Sequence, residues 1–132
     1  MGDPTAATRI LIVEDHAFFS DALRLVLHQQ LTGGATFRHA PTVAEGRRLV
    51  HEEGPFDLAV VDLMLPDGDG TDVVRAVKGR WPETPVAVLS FARDLSVARE
   101  AGADETINKL ESLESIIAKL ERLASGGERP AT

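Results

Sequence analysis

Four sets of polar groups stand directly after short strand-like runs of this chain: Glu14-Asp15 after ILIV, Asp62 after LAVV, Ser90 after VAVL, and Asn108-Lys109 after ETI. If those runs are neighbouring strands, three carboxylates, a hydroxyl and an ammonium group meet at one edge. Two unit charges ~4 Å apart repel by roughly 4 kcal/mol at an effective dielectric of 20, so gathered carboxylates must take up protons or bind a cation. The chain has no cysteine, and its four histidines, 16, 28, 39 and 51, are scattered. An all-oxygen donor set of this kind favours Mg2+ over zinc or copper. A carboxylate beside Mg2+, with a hydroxyl and an amine in reach, is a competent nucleophile toward phosphorus, and its product is an aspartyl phosphate.

The elements that must position these groups alternate in hydrophobic period. Strand-length apolar runs alternate with segments of helical spacing, and Gly, Pro, Asp or Ser punctuates each change. The expected strands are 9–13, 35–40, 56–61 ending at Asp62, 86–89 ending at Ser90, and a weaker one at 105–108. The expected helices are 16–30, one opened by a Thr42/Glu45 capping box and running to about 52, 71–78, a short one at 95–101, and 112–124. Leu113, Ile116, Ile117, Leu120 and Leu123 share one face of the last. Such alternation with short connections implies an α/β fold: a doubly wound, five-stranded parallel sheet of flavodoxin-like strand order 2-1-3-4-5, with a shortened fourth helix. Ligands of such sheets bind at the carboxyl ends of the strands, near the reversal between strands 1 and 3.

With 132 residues, the chain is expected to form one domain over 9–124, between a disordered N-terminus at 1–8 and a flexible tail or linker stub at 125–132. Its net charge of −7 argues against direct binding of nucleic acid or of an anionic membrane surface. The longest strongly apolar stretches are too short to span a bilayer, and the N-terminus carries no secretory signal, so a cytoplasmic location is the expectation.

The segments VEDH at 13–16, VVDLMLPDGDG at 60–70, VLS at 88–90 and AGADETINK at 101–109 occur in the order, and at the strand ends, of a known family. From about Thr8 to Leu123 the chain resembles a response-regulator receiver domain of two-component signalling. The resemblance implies that Asp62 is the phosphoacceptor, taking a phosphoryl group from a phosphohistidine on a sensor histidine kinase or phosphotransfer protein. It implies Mg2+ ligation by Asp15, Asp62 and the Met64 carbonyl, with Glu14 holding a coordinating water. Ser90 would hydrogen-bond the phosphoryl oxygen and Lys109 would pair with its charge. Pro66 and Gly70 match the turn after the phosphoacceptor. The signal would pass to a downstream protein, with the apolar face of the last helix one candidate surface for a homodimer.

Four positions depart from the family pattern. The span from Ser90 to Lys109 lacks nearly one helical turn; Thr106 stands where an aromatic often acts as a switch; Leu110 replaces a proline; and Phe91 is bulkier than the usual residue after the hydroxyl. A receiver that keeps the fold as a constitutive interaction module is therefore an alternative reading, as is the N-terminal piece of a DNA-binding response regulator. A phosphatase of the haloacid-dehalogenase type would need an Asp where Met64 stands, and an FMN site would not place the acidic EDHAFFS loop against phosphate. The DGDG turn at 67–70 lacks the remaining ligands of a calcium loop and reads as a plain turn. His16, beside the acidic pair, reads as a surface group able to tune the site.

Overall fold

The computed structural model describes residues 6–91 and 95–126; the expectations for both chain ends fall largely outside them. In chain order the elements are β1 (Thr8–Val13), α1 (Ala17–Gln30), β2 (Ala35–Ala40), α2 (Val43–Glu53), β3 (Leu58–Asp62), β4 (Met64–Leu65), β5 (Gly68–Asp69), α3 (Thr71–Arg80), β6 (Val86–Ser90), α4 (Ser96–Ala101), β7 (Glu105–Asn108) and α5 (Leu113–Ala124). The main sheet runs β2-β1-β3-β6-β7, all parallel. This is the expected order 2-1-3-4-5, once the small antiparallel β4-β5 ribbon is set aside.

Both faces of the sheet are covered, and the alternation along each strand explains how. In β1, Leu11 and Val13 join Ala59, Val61, Val86 and Val88 in a core under α2, α3 and α4. Ile10 and Ile12 face the other way, with Leu58, Val60, Ala87 and Leu89, into a core under α1 and α5. A strand buried on both sides has no solvent face to be polar, which is why these runs are continuously apolar. Ile116, Ile117 and Leu120 are part of the second core. Most of the apolar face of α5 therefore packs against the sheet, while Leu113 at its start is 40% exposed.

Boundaries move by one or two residues for local reasons. β1 starts at Thr8, whose N–H donates to the Gly34 carbonyl at 3.0 Å. β3 starts at Leu58 because the Asp57 carboxylate accepts the Arg9 N–H (2.8 Å) in place of a ladder partner. At α2, Thr42 Oγ1 accepts from the Glu45 N–H (3.1 Å), but the Glu45 carboxylate pairs with Arg48 and leaves the box half formed. α4 is short, as expected, and ends at Gly102 with φ 112°, a left-handed position that favours glycine. Among the described residues, no helix is long and apolar enough to cross a membrane.

Candidate functional site

Parallel strands deliver Glu14, Asp62, Ser90 and Lys109 to one end of the sheet. Asp62 pairs in register with Leu89 and Ser90 with Asn108, so β3, β6 and β7 stop level with one another. The N–H of Lys109 donates to the Ser90 carbonyl (2.9 Å), extending the ladder by one bond and fixing where the lysine departs. α1 begins at Ala17 with His16 at its N-cap and no side-chain capping bond, so Glu14 and Asp15 are released for other work.

The side chains of Glu14, Asp62 and Lys109 meet in the interior. Glu14 is 3% exposed and Asp62 is 5% exposed. Lys109 Nζ donates to Glu14 Oε1 at 2.5 Å and to Asp62 Oδ2 at 2.9 Å. The Met64 N–H donates to Asp62 Oδ1 at 3.1 Å, which aims the carboxylate. Phe19 and Phe91 lie with their ring centroids 5.0 and 5.5 Å from Lys109 Nζ, so the ammonium is flanked by two aromatic faces. Asp15 and His16 stand at the exposed edge; His16 Nδ1 is 3.7 Å from Glu14 Oε2 and 3.6 Å from Asp15 Oδ1.

One ammonium cannot neutralise this many carboxylates, and the ionisation of the pair shows it. Burial first, and then the Asp62 carboxylate beside it, push Glu14 up to about 8. For Asp62 burial opposes ionisation, but the Glu14 carboxyl, the Lys109 ammonium and the Met64 amide outweigh it and hold Asp62 below the usual carboxylate range. Glu14 Oε2 is buried without a hydrogen-bond partner. Such an oxygen carries a desolvation cost that a bound cation would relieve. Single donor atoms from Glu14, Asp15, His16 and Asp62 all lie within 4.8 Å of one another. A donor set of three carboxylates and one imidazole fits a divalent cation.

The loop after Asp62 is held as tightly as the strand before it. Gly70 donates its N–H to the Leu63 carbonyl (2.8 Å), and a Cβ at Gly70 would stand 2.1 Å from the Asp62 carbonyl oxygen. The Asp67 carboxylate accepts from the N–H groups of Val43 (2.7 Å) and Ala44 (3.0 Å), the first turn of α2. The DGDG segment is therefore more than the plain turn expected from sequence: it forms β5 and ties the loop to a neighbouring helix.

The family follows from comparison with known proteins. The response regulator receiver domain model matches residues 10–121. The chain belongs to the response regulator receiver domain family. It is 35% identical over 121 residues to the response regulator protein PilR of Pseudomonas aeruginosa, covering 87% of this chain and 26% of that protein. It is 38% identical over 106 residues to the KDP operon transcriptional regulatory protein KdpE of Escherichia coli, covering 77% and 44%. Among solved structures, the non-phosphorylated HemR receiver domain of Leptospira biflexa has a TM-score of 0.77 at 32% identity, with 89% of this chain and 94% of that one covered. A CheY-like receiver domain protein of Methanospirillum hungatei gives a TM-score of 0.75 at 29% identity, covering 92% and 100%. The chain spans a quarter to about half the length of these curated relatives.

Within this receiver domain the structure brings Glu14, Asp15, Asp62, Ser90 and Lys109 to one sheet edge, with Ser90 buried there. Sequence reasoning assigns Glu14 and Lys109 separate tasks and misses that they pair with each other. It also misses Phe19 as a wall of the lysine site; the available signal is its place four residues after Asp15 on α1, facing the strand ends. Among the departures, Thr106 accepts a hydrogen bond from the Arg99 guanidinium (3.0 Å), so its hydroxyl links β7 to α4.

Proposed function

We propose that this receiver domain accepts a phosphoryl group on Asp62 from the phosphohistidine of a sensor histidine kinase or phosphotransfer protein. A P–N bond breaks and a P–O bond forms on a carboxylate oxygen, with the histidine as leaving group. Asp15, Asp62 and the Met64 carbonyl would hold Mg2+ and Glu14 a water on it; the ion supplies charge neutralisation between the incoming phosphoryl group and the carboxylate cluster. Ser90 would then hydrogen-bond a phosphoryl oxygen, and Lys109 would move its charge from the carboxylate to the phosphoryl group. The carrying observation is Asp62 itself: a buried carboxylate at a strand's carboxyl end, kept ionised and aimed by Lys109 and the Met64 amide, beside a Glu14 oxygen that has no hydrogen-bond partner.

The matched relatives are longer regulators, several of them named transcriptional regulatory proteins, and the matched stretch is a fraction of each. That favours a receiver whose phosphorylation controls an output function such as transcription in a longer protein. The test is intact-mass analysis after incubation with acetyl phosphate and Mg2+. A gain of about 80 Da that needs both the metal and Asp62 supports the reading. Full modification of Asp62→Ala, or none of the wild type with Mg2+ bound, overturns it; the second result would assign a constitutive interaction module instead.

A further inference from the structure

The acidic cluster carries a nitrogen donor that an oxygen-only Mg2+ site does not need. Lys109 occupies Glu14 Oε1 and Asp62 Oδ2, which leaves Glu14 Oε2 buried and without a hydrogen-bond partner. The group facing that orphaned oxygen on the open side is His16, with Nδ1 3.7 Å from it and 3.6 Å from Asp15 Oδ1. The imidazole is 61% exposed in its side chain, and among the described residues no hydrogen bond fixes its ring. It is free to turn toward the cluster.

We infer that His16 is a ligand of the cation held by Asp15 and Asp62, with Glu14 beside it, and that it shifts this site's preference from Mg2+ toward borderline transition ions such as Ni2+ and Co2+. This rests on the reading of the cluster as a divalent-cation site. Opposite ligands on an ion at ~2.1 Å stand ~4.2 Å apart. The four donor atoms already lie within 4.8 Å, and the remaining closure of about half an ångström falls to the exposed side chains of Asp15 and His16. Imidazole adds little for Mg2+, which keeps oxygen ligands and water. For Co2+ and Ni2+ a neutral ring nitrogen adds affinity, in the order set by intrinsic metal–ligand strength. Because His16 caps α1 through its backbone, the ring can change partner without disturbing the helix start.

Metal-free chain titrated with Mg2+, Ni2+ and Co2+ at one fixed pH, as wild type, His16→Asn and His16→Asp, tests this. His16→Asn should weaken Ni2+ at least about ten times more than it weakens Mg2+. His16→Asp, which replaces nitrogen with oxygen, should tighten Mg2+ while Ni2+ weakens. In the Co2+-loaded wild type one hyperfine-shifted imidazole resonance should appear and be absent from His16→Asn. Equal losses for both ions, an unchanged Ni2+ affinity, or no shifted imidazole signal overturns the inference. The same preparations treated with acetyl phosphate and Mg2+ separate the two readings: a wild type that selects Ni2+ through His16 but takes no phosphoryl group refutes the phosphoacceptor assignment and leaves His16 a ligand.

Discussion

Glu14 stores a penalty in the metal-free fold that rises with pH. An unfolded Glu ionises near 4.5, whereas the buried Glu14 is pushed up to about 8. The folded state therefore binds a proton that the unfolded chain releases between those values, and stability falls as pH rises through that window. Each tenfold change in proton affinity corresponds to about 1.4 kcal/mol, so the full window is worth roughly 5 kcal/mol as an upper bound; Asp62, held below its ordinary range, titrates beneath this window and does not alter the slope. Between pH 6 and pH 8 the Glu14 contribution alone is about 2 kcal/mol. For a chain of this size that is a fall in Tm of about 6–10 °C. Glu14→Gln keeps an acceptor for Lys109 but no longer titrates, so its Tm in EDTA should be nearly flat over the same range. Saturating Mg2+ should flatten the wild type as well, because the cation replaces the proton. Scanning calorimetry of both proteins at four pH values, with and without Mg2+, measures this. Parallel wild-type and Glu14→Gln curves in EDTA would place the slope in other groups and defeat this account of Glu14.

Gly70→Ala is expected to cost roughly 2–4 kcal/mol in denaturant unfolding, because the new Cβ would meet the Asp62 carbonyl oxygen at 2.1 Å and the backbone itself must give way. The same displacement should slow phosphorylation from acetyl phosphate, since it moves the residue that would be modified. Asp67→Ala leaves the N–H groups of Val43 and Ala44 without their acceptor and should raise hydrogen exchange in the first turn of α2 while β1 and β3 stay protected. Those N–H groups hold Asp67 below its ordinary range, so its contribution is present above the unfolded value and is lost as pH falls through the lowered one; the wild-type and Asp67→Ala exchange rates should converge in acid.

The fold is legible in the sequence because both faces of the sheet are buried. Runs such as ILIV and VAVL, alternating with segments of helical period, fit a parallel sheet covered on both faces, and the order of crossovers then leaves few topologies. The residues at the strand ends are legible for the same reason, since a strand's last residue fixes where its successor points. Side chains whose partners are far apart in the chain are not. Nothing local to Lys109 announces that it reaches Glu14, 95 positions away, or that Phe19 and Phe91 flank it. The apolar stripe of α5 is evident as a stripe, but that Ile116, Ile117 and Leu120 pack on the sheet while Leu113 is exposed is not, because periodicity reports that a face is apolar and not what covers it. The β4-β5 ribbon is invisible to pattern because two-residue strands carry no period at all.

Lys109 is fully engaged before any phosphoryl group arrives, and this determines where a response would begin. Its ammonium holds two carboxylates and lies between two rings, so moving it to a phosphoryl oxygen on Asp62 means giving up the Glu14 contact and changing both cation-π contacts. A phosphoryl group would bring about 1.5 to 2 negative charges, and on the proposed reading Lys109 and Ser90 would each make a charge-assisted contact of ~1.5–3 kcal/mol to it. The contacts surrendered to the rings are each worth ~0.5–2 kcal/mol. With the Glu14 contact also given up the exchange is closely balanced, and it would reposition Phe91, which is 58% exposed and directly follows Ser90. Thr106 has its hydroxyl engaged by Arg99 across to α4 and offers no ring to rotate. Beryllofluoride with Mg2+, as a stand-in for the phosphoryl group, should therefore shift the ring resonances of Phe19 and Phe91 by NMR more than the methyl resonance of Thr106. Lys109→Ala should abolish the ring shifts even where beryllofluoride still binds. If the rings stay unshifted while Thr106 moves, Lys109 does not transmit the change and the aromatic flanks are only packing.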